Sequence, residues 1–377
     1  MSLPENPNLD HLRNQARALQ RSIARPLHLA QLAVARGYGF ASWAKLKHYV
    51  EAANAHSWQP SAERAQESLP DRFCRLACLT YSDVDGPDRW QQARALAPEI
   101  ADHIWAAAAA GSGAAVRAAL AKDPGLARAK GGPYGWSPLC YLAYSRAAGD
   151  DDDVVDAARA LLDAGADPDE GYLWNGLVPP FTVLTGIFGN GELGVHRQPS
   201  HPHVDALARL VLDAGADPND GQTLYNRQFA RDDSHLELLF EYGLGRGDGG
   251  PWRRRLGERL GDPAELLRGQ LRWAVEHGMV DRVRLLVAHG VDVVTAYPDG
   301  RTPMDLARLG ARTDIADVLV GGGAKRAELD PADELIAAVF AGRPIDPTNA
   351  AEARRRRPGL IVWAAAQGRA DVVAKLA

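Results

Sequence analysis

The sequence predicts an all-α fold assembled from repeated pairs of short helices. Three observations carry that expectation. A block of sixteen residues recurs, each copy reads as an amphipathic helix stopped by a glycine, and shorter capped helices accompany the copies. Val154–Asp169 (VVDAARALLDAGADPD) and Val204–Asn219 (VDALARLVLDAGADPN) agree at ten of sixteen positions, fifty residues apart. A looser copy, VDRVRLLVAHGVDVV, starts at Val280. In each, Leu and Val recur at helical spacing. Gly165, Gly215 and Gly290 stand where a helix ends in the left-handed conformation that glycine adopts without strain. Self-similarity of this kind marks a stack in which each unit buries its apolar face against its neighbours.

The shorter helices announce themselves by their caps. In Arg301-Thr302-Pro303-Met304-Asp305-Leu306-Ala307, Thr302 is the N-cap and Pro303 sits in the first turn, where its missing N–H costs nothing. Ser137-Pro138-Leu139-Cys140-Tyr141-Leu142-Ala143 repeats the device with Ser137 as cap. These segments resemble the T-P-L-H-x-A signature of ankyrin repeats, and GADPD and GADPN resemble the loop that closes each repeat. The resemblance covers most of residues 100–377 and implies an ankyrin-repeat solenoid of helix-turn-helix units joined by turn or hairpin loops. It also implies a binding protein. The signature histidine is replaced by Cys140 in one repeat and Asp305 in another. The hydrogen bonds that histidine makes to the adjoining turn must therefore come from other groups.

Repeats are expected at about 102–132, 134–169, 173–219, 222–246, 268–294, 297–323 and 332–358, with a half repeat from Leu360. Against a period of about 33 residues, the Gly165–Gly215 and Gly243–Gly290 intervals carry roughly 17 and 14 residues too many. The excess falls near 185–203 and 245–266. In a solenoid such inserts form loops on one face, often the binding face. Residues 1–55 read as two or three short helices, the last starting near Ser42. The stretch Ala35–Lys47 resembles the helical leader of bacterial, actinobacterial-type ankyrin-repeat proteins and is expected to cap the stack. Residues 56–100 read as a polar linker and a degenerate helical pair. The last segment, LIVWAAAQGRADVVAKLA, looks like a repeat that stops before its loop, as in a shortened chain.

Composition bounds the function. The 377 residues are 46% hydrophobic and 24% charged, with a net charge of −5. That balance gives no electrostatic reason to expect nucleic acid or an anionic membrane as partner. No apolar run approaches the roughly 20 residues needed to cross a bilayer. The first fifteen residues lack the apolar core of a signal peptide. Three cysteines, Cys74, Cys78 and Cys140, make no disulfide framework, which points to a reducing, cytoplasmic setting and a monomer.

Chemistry-bearing groups are sparse. His196, His201 and His203 in GVHRQPSHPH are metal-type ligands, but no Cys or Glu spacing completes a site, and a loop docked on the stack explains them better. The acidic run Asp150–Asp153 lacks an alternating calcium-loop pattern and suits a helix N-terminus. Two basic runs, Trp252–Arg255 and Arg354–Arg357, read as solvated faces. Cys74 and Cys78 lie four apart on an apolar helical face, as buried thiols do. Gly245–Gly250 is glycine-rich but follows a helix, so a flexible loop is expected. No nucleophile elbow, phosphate loop or dinucleotide fingerprint is present, and no cofactor or metal is expected.

Aromatic residues gather at the turns and inner helices of the middle repeats: Tyr134, Trp136, Tyr141, Tyr144, Tyr172, Trp174, Phe181 and Tyr225. At exposed repeat tips such rings would form a partner-binding concave face. Alternatively, the inserts fold back over them. Arg227, Asp232 and His235 stand near Tyr225 in sequence as polar groups for a pocket, and in an enzyme His201, His203, Tyr141 or Tyr225 would be the proton-transfer groups. The first expectation is a non-catalytic scaffold binding a protein through that face. The alternatives are a small-molecule-binding protein, or an enzyme, whose pocket is roofed by the 185–203 and 245–266 inserts.

Overall fold

In a computed structural model the chain is mostly helical, 61% helix and 3% strand, with 23 helices among the described residues. The structure describes residues 3, 7–60, 67–96, 103–149, 153–326, 329, 331–343 and 347–377. It divides into two compact units. One comprises Met1–Ala230 with Glu241–Asp262; the other comprises Arg231–Phe240 with Pro263–Ala377.

The first unit contains consecutive helix pairs: Ile104–Ala110 with Gly113–Lys122, Pro138–Tyr144 with Asp153–Asp163, and Val183–Phe188 with Val204–Asp213. Gly221–Arg227 follows. First helices pack on first helices, and second on second, through the series. Local chemistry sets each start. Ser137 Oγ accepts the Cys140 N–H at 3.4 Å, and Thr182 forms a reciprocal capping box with Thr185. Gly165 and Gly215 end their helices at φ +91° and +100°, the left-handed conformation their positions predict. Of the acidic run, Asp150–Asp152 lie outside the described residues. Asp153 begins its helix, where a carboxylate faces the exposed N–H groups.

The turn that leads into the helix Pro138–Tyr144 is held by a tyrosine of that helix. Tyr141 Oη accepts the Tyr134 N–H at 2.8 Å and donates to the Gly131 carbonyl at 2.9 Å. In the second unit, Asp305 does this work for its own cap, accepting the Thr302 N–H at 2.8 Å and the Thr302 hydroxyl at 2.7 Å.

Between the second and third pairs runs a short hairpin. Strand β2 (Gly171–Trp174) pairs antiparallel with β3 (Phe181–Thr182), Tyr172 opposite Phe181. Strand β1 (Ser57–Trp58) joins its other edge in parallel, Trp58 opposite Trp174. The N-terminal helices Leu9–Ile23, Leu27–Gly37 and Trp43–His56 form their own core with Trp252 and Leu256, from the second insert, and with Leu173 of the hairpin. Residues 245–249 form a non-helical turn, and a helix follows them within the second insert. That helix is Gly250–Leu256, and Trp252 Nε1 donates to the Asp169 carbonyl at 2.8 Å.

The second unit repeats the pairing with Pro263–Glu276 and Val280–Ala288, then Pro303–Leu309 and Thr313–Gly321. Pro331–Phe340, Pro347–Arg356, Leu360–Ala366 and Ala370–Leu376 enclose a core around Leu309, Val339, Phe340, Leu360 and Val372. Arg354–Arg356 fall in the last turn of their helix, where cations oppose the helix dipole, and Glu352 pairs with Arg355 and Arg356. Among the described residues no helix is long and apolar enough to cross a membrane.

Candidate functional site

The site lies wholly within the first unit and is best built from its aromatic core outward. Tyr134, Trp136, Tyr141, Tyr144 and Tyr172 are all buried. Trp136 stacks on Tyr172 with centroids 4.9 Å apart, and Tyr172 stacks on Phe181 at 5.6 Å. Trp58 is the hub, with centroids 5.2, 5.0 and 4.7 Å from Tyr134, Trp136 and Tyr172. The expectation of exposed aromatic tips is therefore corrected: these rings form a core. The first insert covers part of it, with Gly186 against the Tyr144 ring. Trp58 on β1 and Tyr81 on the 79–85 loop close over the rings, and both come from the segment that reads as a polar linker and a degenerate pair. Burial pushes the phenols of Tyr134, Tyr141, Tyr144 and Tyr172 well above the ordinary tyrosine range.

That covering segment is stitched down by backbone and charge. Leu79 N–H donates to the Tyr144 carbonyl and Arg146 N–H to the Ala77 carbonyl, both at 2.8 Å, framing an isolated antiparallel bridge between Cys78 and Ser145. Asp85, buried, accepts from Thr80 N–H at 3.1 Å, the Thr80 hydroxyl at 2.9 Å, Ser82 N–H at 3.1 Å and Arg89 at 2.8 Å. Burial raises the Asp85 carboxyl; the Arg89 guanidinium and these donors oppose the rise. The loop so fixed holds Tyr81 at φ +55°, a left-handed conformation that a bulky residue keeps only when its surroundings insist. The same conformation delivers the Tyr81 ring to Phe181, centroids 4.9 Å apart, and its hydroxyl to the Thr185 carbonyl at 3.3 Å.

The first insert docks through a buried cation. Arg146, 2% exposed, donates Nε to the Pro199 carbonyl at 2.8 Å and Nη2 to Gly186 at 2.7 Å. Its Nη1 reaches the carbonyls of Ala143 and Ser145 at 3.2 and 2.9 Å. Four carbonyl dipoles thus stand in for a carboxylate partner. His201 is buried beside them; its N–H donates to the Ile187 carbonyl at 2.9 Å, and its Nδ1 accepts the His203 N–H at 3.1 Å. Burial, then the Arg146 charge, hold the His201 imidazole well below its ordinary value and neutral. His203 Nε2 meets the Gly149 carbonyl at 3.1 Å. Arg227, also buried, reaches the Ser200 hydroxyl at 3.4 Å. Each of the three thus makes a contact within the insert or between it and its surroundings. Among the described residues no group of three or more His, Cys, Asp or Glu is placed to hold a metal ion.

Docked this way, the insert becomes one wall of an open cleft of about 520 Å³. Tyr81, Trp174 and Phe181 line the opposite side; Gly191, Glu192, Leu193, Arg197 and Gln198 line the insert side; Gln222, Tyr225 and Asn226 project from their helix. Spaced i, i+3 and i+4, those three share a face. Trp174 is anchored by its Nε1 donating to the Thr80 carbonyl at 3.0 Å. Arg197 braces the mouth by donating to the carbonyls of Asp85, at 3.1 Å, and Asp83. Tyr225 donates to Glu192 across the cleft, and that carboxylate, followed by partial burial, raises the phenol to about 12. Gln222 Nε2 donates to Asn226 Oδ1 at 2.8 Å.

Of the residues singled out in the sequence, Trp174, Phe181 and Tyr225 meet in this cleft. Tyr134, Trp136, Tyr141 and Tyr172 form the core behind it, and His201, His203 and Arg227 lie in the seam of the insert. Sequence reasoning missed Tyr81, Arg146, Gln222 and Asn226. One signal was available: Gln222 and Asn226 occupy one face of a short helix, at the positions that Leu139 and Ala143 hold in the helix Pro138–Tyr144. Compared with known proteins, no family model matches this chain and no curated protein matches it.

Proposed function

We propose that this chain is a non-catalytic binding protein of the ankyrin-repeat type, and that a small molecule enters the cleft between Trp174 and Tyr225. The single observation that carries the reading is the composition of that cleft. At about 520 Å³ it has the size of a small-ligand site, with aromatic walls and a few convergent amides. The ankyrin assignment rests on the helix pairs, their left-handed glycine stops and the T/S-P caps, present in both units. The three cysteines are free and buried, which suits a cytoplasmic location.

A thermal-shift screen of small polar aromatic and heteroaromatic compounds, run on the intact wild-type chain and on Tyr225→Ala and Trp174→Ala, tests the proposal. Compounds that stabilise wild type are expected to stabilise either variant at least tenfold less potently. Equal potency on all three proteins refutes the cleft as the site.

One observation favours a protein partner as the second reading. Leu193, Val195, Tyr225 and Phe229 are exposed beside the cleft, at 45, 64, 40 and 38%. Exposed apolar residues gathered at one rim are what a protein interface uses. Under that reading Val195→Asp weakens capture of the partner while Trp174→Ala does not.

A further inference from the structure

We infer, building on the small-molecule reading above, that the ligand of the cleft is a cation without N–H groups, an alkylated ammonium head held against the aromatic walls. The floor narrows the choice first. Gln222 gives its amide nitrogen to Asn226 Oδ1 at 2.8 Å, and the Asn226 side chain hydrogen-bonds the Tyr81 hydroxyl. That hydroxyl in turn donates to the Thr185 carbonyl at 3.3 Å. These floor groups are engaged with one another. What the cleft presents to a guest is chiefly ring surface: Tyr81, Trp174 and Phe181, each half-buried, and Tyr225, 40% exposed.

The rings form a corner rather than a slot. Tyr81 meets Phe181 at 62°, with centroids 4.9 Å apart, and Tyr172 covers one face of Phe181. Trp174 is pinned by its Nε1 on the Thr80 carbonyl and stacks on no other ring among the described residues. A flat ligand needs parallel walls, whereas a rounded head touches several rings in a corner. Each ring face is negative and attracts positive charge. Charge points the same way. Of the described residues that line the cleft, Asp83 and Glu192 carry exposed carboxylates, and Arg197 is the one cation. Arg197 directs Nε and Nη2 to the carbonyls of Asp85 and Asp83. Tyr225 donates to Glu192, and a phenol polarised by a carboxylate carries a more negative ring. The carboxylates face water, so their own pull is modest and screened by salt, and ring contact supplies the rest. A head without N–H groups asks for no acceptor, which suits a floor already engaged. The volume leaves room for the chain that carries the head.

Ligand-observed NMR on the intact chain, with choline, tetramethylammonium, acetate and 3,3-dimethylbutan-1-ol as probes, tests this. The last is the uncharged isostere of choline, and choline is expected to bind about tenfold more tightly than it. Trp174→Leu keeps an apolar wall but removes the ring, and is expected to weaken choline by about tenfold while leaving the isostere nearly unchanged. Should Trp174→Leu unfold, Glu192→Gln at an exposed position replaces it, with an expected loss of about threefold for choline and none for the isostere. Equal binding of choline and its isostere overturns the inference, and so does undiminished choline binding in a folded Trp174→Leu. Preference for acetate over both ammonium probes overturns it too. If the ammonium probes fail while a compound of the thermal-shift screen binds and is lost in Tyr225→Ala, the cation class falls and the small-molecule reading stands. If no probe and no compound of that screen binds, both fall.

Discussion

Replacing Arg146 by methionine removes the one cation that ties the first insert to the helix pair behind it. Four carbonyls lose a donor: Ala143 and Ser145 on one side, Gly186 and Pro199 on the other. Each buried carbonyl left without a partner costs about 1–3 kcal/mol. Part of this is returned, because a fully buried guanidinium is expensive to desolvate; burial itself lowers the Arg146 pKa. Methionine fills much of the volume, so no large cavity term is added. Taking only the two carbonyls that bridge to the insert as truly orphaned leaves about 3–5 kcal/mol, within the range for breaking a buried charged contact. The loss is local, so the assay must be local. Amide hydrogen exchange at Asn190 and His201, whose N–H groups donate to Gln198 and Ile187 carbonyls at 2.6 and 2.9 Å, reports opening of the insert. With a tenfold change for every 1.4 kcal/mol, their exchange is expected to accelerate by about two to three and a half orders of magnitude. Amides in the second unit, such as those of Leu306–Leu309, serve as the internal control. Arg146→Lys keeps the charge but not the fork of five donors, and falls between. Acceleration of less than about fivefold at both amides refutes the account of Arg146 as the clamp.

Other consequences are as direct. A Cβ at Gly186 would stand 2.4 Å from the Tyr144 ring, so Gly186→Ala is expected to lower stability by about 1–3 kcal/mol, read by chemical denaturation of the first unit. Trp58→Ala empties the centre of the aromatic core and costs about 3–5 kcal/mol by the same measurement; a loss under about 1 kcal/mol would mean the core closes without it. His201 has a depressed folded-state pKa, so its contribution is present above the unfolded value near 6.5 and is lost as pH falls below it. His201→Gln is expected to flatten the pH–stability curve below about pH 6.5, read by chemical denaturation across that range. The Tyr225 phenol, raised to about 12 by the Glu192 carboxylate, is expected to return toward 10 in Glu192→Gln, followed by ultraviolet absorbance.

The legible parts of this molecule are those specified within about ten residues. Gly165, Gly215 and Gly290 had to be left-handed because nothing else at those positions ends the helices so cheaply. Ser42, Ser137 and Thr302 had to cap, since a hydroxyl before an apolar run satisfies orphan N–H groups. Thr182 is the same signal in weaker form, T-V-L-T without proline, and so the helix Val183–Phe188 hid inside what reads as an insert. The aromatic cluster was legible as a cluster but not as to its fate. Tyr and Trp at repeat tips are compatible with either a partner surface or a covered core, and their own neighbours cannot decide between the two.

What decided it lies far upstream in the chain. Trp58 pairs its strand with Trp174, and the 79–85 loop holds Tyr81 over Phe181. Neither residue belongs to a periodic segment, and a two-residue strand leaves no pattern of period 2 to detect. The same cause explains the missed floor of the cleft. Gln222 and Asn226 are ordinary polar residues in a seven-residue helix until the insert and the 79–85 loop are placed around them. A cleft is a property of three segments at once, and the periodicity that reveals repeats is silent on what covers them. It follows that the residues most informative about ligand choice are those that break the repeat pattern on an inner helix. In the first unit Gln222 and Asn226 are two such residues, each an amide where the helix Pro138–Tyr144 carries Leu139 and Ala143.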